Sequence, residues 1–224
     1  MRFISFILLT WVKYLSTLFY KIEQHWLSDE KQQHWQDINL IVILNHTSLF
    51  EPVLLRNIPL SFLWRMSNQL MVPGADNTLQ RPIVGKVLYS LVPGCIPISR
   101  KNDDTWTDFL NKVNDKKITA ILPEGRMKRP TGLDKHGNEM TVRGGVADII
   151  SRLNKGKILF VYSGGLHHIQ SPGDKFPKVF KKIKLNLEVV DITQYKYLHQ
   201  AEHEDKFKTN VINDMQQRLK SKIP

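Results

Sequence analysis

Apolar residues in this chain fall into short continuous runs, separated by segments where they recur at three- and four-residue steps. The runs predict strands and the spaced segments predict helices. Residues 39–44 predict a buried strand, followed by a turn at His46 and a short helix over 52–57. Residues 60–65 predict a second strand, 73–77 a loop and 82–91 a helix. A short strand at 95–98 ends at Ser99-Arg100. Asn102 or Asp103 then caps a helix with Trp106, Phe109, Leu110 and Val113 on one face. Residues 118–122 predict a strand that runs into Pro123-Glu124-Gly125. Residues 129–139 are rich in Pro, Gly, Lys and Asn and predict a loop. A helix over 142–153 follows, with Arg143-Gly144-Gly145 as its start, and then a strand over 158–162 that breaks at Gly164-Gly165. Residues 183–190 alternate like a strand with one solvated face. Residues 205–223 predict a basic helix packed on the domain through Phe207, Val211, Met215 and Leu219. Strands alternating with helices imply a single α/β domain with a central, mostly parallel or mixed sheet flanked by helices.

The N-terminal segment has a different pattern. Residues 3–19 are apolar apart from Lys13 and a few hydroxyl side chains. Thr10, Lys13, Thr17, Lys21 and Gln24 form a polar stripe on a helix whose other face carries Phe6, Leu9, Trp11, Leu15, Leu18 and Trp26. The lysine and the hydroxyls argue against a spanning helix. The absence of a small-x-small cleavage site argues against a signal peptide. The segment predicts an amphipathic helix lying in the headgroup region. The chain therefore divides into a membrane-associating helix, 1–27, and a main domain, 28–224.

Composition narrows the partners. Hydrophobic residues make up 42% of the 224, enough for a sizeable core. Lys and Arg number 32 against 21 Asp and Glu, a net charge of +11. That balance favours anionic partners such as a phospholipid surface. No helix-turn-helix, zinc or aromatic ribonucleoprotein motif accompanies the charge, so no specific nucleic-acid partner is expected. The one cysteine, Cys95, excludes an internal disulfide and suits a reducing compartment. No residues have metal-ligand spacing, so no metal is expected.

The candidate chemistry begins at His46-Thr47-Ser48-Leu49-Phe50-Glu51. A histidine and a carboxylate beside a strand end can activate a hydroxyl. Ser48 and Glu51 also have the spacing of a capping box, which would place Glu51 at the third helical position. Both readings bring the Glu51 carboxylate near His46. The His46, Arg100 and Glu124 segments all sit at predicted strand ends, where functional loops of such sheets gather.

Four ordered segments carry a family resemblance: Asn45-His46-Thr47-Ser48-Leu49-Phe50-Glu51-Pro52, Gly94-Cys95-Ile96-Pro97-Ile98-Ser99-Arg100, Leu122-Pro123-Glu124-Gly125-Arg126, and the apolar run from Ile158 to Tyr162. In order and spacing, about residues 38 to 190 resemble the glycerolipid acyltransferases. The resemblance implies transfer of a fatty acyl group from acyl-CoA or acyl carrier protein to a lyso-lipid hydroxyl, with no cofactor beyond that co-substrate. It implies His46 as general base and Glu51 as the carboxylate that orients it. It also implies that Arg100, Glu124 and Gly125 hold the phosphorylated acceptor, at the membrane's cytoplasmic face. Three positions depart from the family pattern. Glu51 replaces the usual Asp, and Arg65 stands where many members have Lys after the second strand. Met127 occupies the arginine position of the third motif, which leaves Arg126, Lys128 or Arg129 to supply the cation. A lipid- or acyl-carrier-binding protein without catalysis, on the same fold, is the alternative.

Overall fold

The structure is a computed structural model that describes residues 2–29, 35–48, 50–99, 103–171 and 174–224. Its centre is a seven-stranded mixed sheet. In chain order the strands are β1 (Tyr20–Trp26), β2 (Ile38–Leu44), β3 (Leu70–Ala75), β4 (Cys95–Ile98), β5 (Ile118–Ile121), β6 (Lys157–Ser163) and β7 (Lys181–Asp191). Across the sheet they run β1-β7-β6-β2-β5-β3-β4. Neighbours pair in parallel except β6 and β7.

β2 is central and its residues are buried apart from half-buried Ile43, as expected of a strand covered on both faces. Leu40, Val42 and Leu44 enter one core, with α5 (Thr105–Leu110), α6 (Gly145–Arg152), α7 (Ile192–His199) and α8 (Glu204–Ser221) above them. Ile41 enters the other core, beneath α1 (Arg2–Phe19), a 3-10 helix over Glu51–Asn57, and α2 (Leu60–Gln69). Helices α3 (Asp76–Leu79) and α4 (Pro82–Leu91) lie between β3 and β4 in the chain.

Several expectations need correction. Residues 60–65 are not a strand. Phe62, Leu63 and Met66 are buried at helical spacing on α2, and the helix continues to Gln69. Arg65 is therefore on a helix, not after a strand. Its guanidinium donates to the carbonyls of Trp35, Gln36 and Ile38, at the end of β2 opposite His46. Residues 73–77 are not a loop, because Pro73 and Gly74 belong to β3. A Cβ on Gly74 would lie 2.8 Å from Leu79 and 2.9 Å from Cys95, so this strand needs glycine for close packing.

The N-terminal helix stops at Phe19. Lys21, Gln24 and Trp26 lie on edge strand β1 instead of continuing the helical stripe. Of the stripe, Lys13 turns inward while Thr17 stays exposed. Ser5 donates to Leu91 O at 2.6 Å, and Lys13 reaches the carbonyls of Arg56 and Ile58. Phe3, Ile4, Trp11, Tyr14, Leu15 and Leu18 are left exposed on the outside.

α5 ends at Leu110, short of Val113. Its N-cap is Asp104, with no side-chain cap bond, and not Asp103, which sits one residue earlier and accepts from Thr105 N–H at 3.1 Å; Asn102 lies outside the described residues. α7 has no counterpart in the sequence reading. Its N-cap is Asp191, which accepts from Gln194 N–H at 3.0 Å.

Candidate active site

Register places the site. Val42 of β2 pairs with Ile121 of β5. Asn45 and Glu124 therefore leave the two adjacent strands at the same level. Asn45 adopts φ 67, a left-handed conformation that asparagine tolerates better than most residues. This turns the chain sharply out of β2. Glu124 is buried below the turn, and its two carboxylate oxygens accept from Asn45 N–H at 2.7 Å and His46 N–H at 2.8 Å. Burial pushes the Glu124 carboxyl up from its ordinary value, while the two backbone donors pull it down.

Other segments fix the same turn. Asn45 Nδ2 donates to Ser163 O at 2.8 Å, and Thr47 Oγ1 accepts from Leu166 N–H at 2.7 Å. Lys128 N–H donates to His46 O at 2.8 Å, and Lys128 O accepts from His167 Nε2 at 2.7 Å. The backbone of His46 is thus held on both sides before any substrate arrives.

Glu51 begins the 3-10 helix, with Pro52 behind it. Its Oε1 lies 2.8 Å from His46 Nδ1 and accepts from Ser48 N–H at 3.3 Å. The second half of a capping box is absent: Ser48 Oγ accepts from Phe50 N–H, and Glu51 is the first helical residue instead of the third. A carboxylate accepts, so Nδ1 donates in this pair, and in the neutral imidazole that leaves the lone pair on Nε2.

His46 and Glu51 line a cavity of about 850 Å³. Its polar lining also includes Arg126 from the loop after β5, Arg143 from the approach to α6 and Asp148 from α6 itself. Its apolar lining includes Leu9, Ile41, Leu54, Met66, Leu88 and Val161. Cys95 also faces it, with burial pushing the thiol up to about 11, so it stays protonated at neutral pH.

The remaining predicted residues are spread around this mouth. Gly125 has φ 62, and a Cβ there would lie 3.0 Å from Arg143 Cδ, so the glycine serves both the turn and a close crossing. Arg126 lines the cavity and forms an ion pair with buried Asp134. Asp134 also accepts from the N–H groups of His136 at 2.7 Å and Asn138 at 3.0 Å, which ties down the loop after β5. These contacts hold the Asp134 carboxyl well below the usual range. Arg100 lies outside the described residues.

Residues 11–166 match the sequence profile of the Acyltransferase family. The chain belongs to that family. This acyltransferase-family chain also resembles the crystal structure of the 1-acyl-sn-glycerophosphate (LPA) acyltransferase PlsC from Thermotoga maritima, with a TM-score of 0.53. The two share 16% sequence identity, and the match covers 95% of this chain and 80% of that one, a likeness of fold. No curated protein sequence matches the chain significantly.

Sequence reasoning placed Asn45 and Thr47 in the first motif without a role, read Arg143 only as a helix start, and missed Asp134 and His167 as parts of this acyltransferase-family site. Asn45 alone had a local signal, an Asn directly after a buried strand. Asp134, Arg143 and His167 reach the site from segments distant in sequence.

Proposed function

We propose that this protein moves a fatty acyl group from acyl-CoA or acyl carrier protein to the free hydroxyl of a lysophospholipid such as 1-acylglycerol 3-phosphate. The observation that carries this reading is the His46–Glu51 pair, 2.8 Å apart, opening onto a large, mainly apolar cavity. The apolar part suits an acyl chain, and the polar mouth suits a charged headgroup.

In this reading His46 Nε2 takes the proton of the acceptor hydroxyl as its oxygen attacks the thioester carbonyl. Glu51 holds the tautomer and stabilises the imidazolium. Collapse of the tetrahedral intermediate breaks the carbon–sulfur bond, and the imidazolium returns the proton to the departing thiolate. The products are an ester and a free thiol, and no acyl-enzyme forms. Arg126 and Arg143, with Arg100 from the second motif, are the cations proposed to face the acceptor's phosphate. Glu124 acts one layer back, by fixing the His46 backbone.

The outward apolar face of α1 supports attachment to a membrane, and this reading takes the cytoplasmic face as its side. The bond from Lys13 to the domain supports a helix that lies along the protein at the bilayer surface. The division into a membrane-associating segment, 1–27, and an acyltransferase domain, 28–224, is functional in this reading, since β1 belongs to the common sheet.

The test is acyl transfer from labelled acyl-CoA, and separately from acyl carrier protein, to a panel of lyso-lipids. Wild type should form diacyl product, and His46→Ala should lose roughly 10²–10⁴-fold in rate with its fold retained. Equal turnover by both forms would remove His46 as the base. Lipid binding without transfer by either form would favour the non-catalytic alternative.

A further inference from the structure

Residue 180 shows a local conflict. Phe180 has φ 60, a backbone conformation that favours glycine and penalises a bulky side chain. Buried packing does not explain the phenylalanine, because 75% of it is exposed. Phe176, on the same loop, is 81% exposed, and Val179 is exposed between them. A side chain kept out of its preferred backbone region and out of the core points to a partner outside the chain.

The surroundings identify that partner's chemistry. Phe180 N–H donates to Phe19 O at 2.8 Å, and the two rings meet edge-on at 5.9 Å. The loop therefore adjoins the end of α1, whose Tyr14, Leu15 and Leu18 are exposed. Lysines surround the aromatic residues. Lys175, Lys178, Lys181 and Lys182 are all exposed, and Lys21 and Lys184 follow on the paired edges of β1 and β7. The acids nearby are Asp174, which accepts from Ser171 N–H, and Glu23, which pairs with Lys182. Positive charge dominates. Exposed aromatic rings within a lysine fringe fit the interface of an anionic bilayer, where rings enter the headgroup layer and lysines meet lipid phosphates.

We propose that residues 174–182 form a second membrane contact, selective for anionic phospholipid, which extends the apolar face of α1. This rests on the membrane reading of α1, and the test separates the two. The full-length protein is sedimented with vesicles of phosphatidylcholine alone, and with vesicles containing phosphatidylglycerol, at low and high salt. Wild type should bind both and prefer the anionic vesicles at low salt. Lys178→Glu with Lys181→Glu should lose that preference by tenfold or more and leave binding to neutral vesicles unchanged.

Phe180→Gly separates a lipid role from a packing role. Glycine accepts the positive φ, so the variant should keep or raise its melting temperature while its vesicle affinity falls several-fold. A lower melting temperature with unchanged vesicle affinity would make Phe180 a packing residue and overturn the proposal. Unchanged anionic preference in the lysine variant would also overturn it, and would leave α1 as the attachment. Wild type that binds neither vesicle would remove both contacts. A concentration-dependent dimer lost in Phe180→Gly, with no lipid effect, would assign the surface to self-association.

Discussion

At the residue scale, the proposed base is positioned by a carboxylate outside the cavity lining. Glu124 accepts from two consecutive backbone N–H groups and so fixes the direction in which His46 leaves β2. Glu124→Gln puts an amide N–H₂ against one of those donors. The His46 turn should shift, and turnover should fall by about 10²-fold, the scale expected of a misplacement near one ångström. The fold should survive, since Asn45 Nδ2 and Thr47 still anchor the turn.

The same residue predicts a pH dependence. Burial raises the folded value of its carboxyl above the ordinary one. The folded state then binds this proton more tightly than the unfolded state does. The stability so gained is complete below the ordinary glutamate value and is lost as pH rises through the raised folded value. Relative to Glu124→Gln, wild type should gain melting temperature as pH falls from neutral toward the ordinary glutamate value. Paired thermal melts across that range check this. A flat difference would mean that the backbone donors offset burial in full.

At the element scale, α8 is fastened by a polar cluster. Arg218 donates to Asp214 at 2.6 Å, to Glu188 at 2.8 Å and to Tyr162 Oη at 2.9 Å, and its guanidinium lies 4.4 Å from the Phe160 ring centre. Lys222 also reaches Glu188, at 2.7 Å. Arg218→Ala leaves two shielded carboxylates with fewer partners and should cost about 3 kcal/mol, the lower end for breaking a buried pair, because Lys222 remains. The urea midpoint measures it. A change under ~1 kcal/mol would mean the cluster is solvated like a surface pair.

The sequence made much of this architecture legible. The runs forming β2, β5 and β6 are mainly apolar and bounded by turn residues, so their type was clear. α8 was readable from apolar residues at steps of four. Leu60-Ser61-Phe62-Leu63-Trp64-Arg65 misled because Leu60, Phe62 and Trp64 alternate, while Met66, which completes the helical face, lies beyond that window. β3 was hidden by Pro73-Gly74, a turn signal overridden by packing against Leu79 and Cys95. β1 follows α1 without a breaker, and Lys21 and Gln24 fit either period. The His46–Glu51 spacing was local and therefore visible. The contacts of Glu124 under the turn depend on the register of strands far apart in sequence, which no local pattern encodes.

At the scale of the whole molecule, α1 presents apolar side chains both to the domain and to the outside. Ser5, Ser16 and Lys13 meet the domain beside Phe6, Leu9 and Val12, and the outward face carries Phe3, Ile4, Trp11, Tyr14, Leu15 and Leu18. Such a face is costly in water, since burying each large apolar side chain is worth about 1.5–3 kcal/mol. α4 extends the exposed apolar surface with Ile83 and Val87. Both helices also contribute to the cavity wall, through Leu9 of α1 and through Leu88 and Leu91 of α4. The helices proposed to touch lipid therefore also bound the cavity proposed to hold its acyl chain, so a lyso-lipid need travel only a short way from the bilayer to His46. Trp11→Glu with Leu15→Glu tests this arrangement, because both side chains point away from the domain. The melting temperature should hold, vesicle binding should fall by at least ~10²-fold on the same transfer scale, and turnover of vesicle-embedded acceptor should fall with it. Turnover of a short-chain acceptor dissolved without vesicles should stay near wild type. An equal loss on the dissolved acceptor would mean that the face shapes the site itself, and unchanged vesicle binding would move the membrane contact off α1.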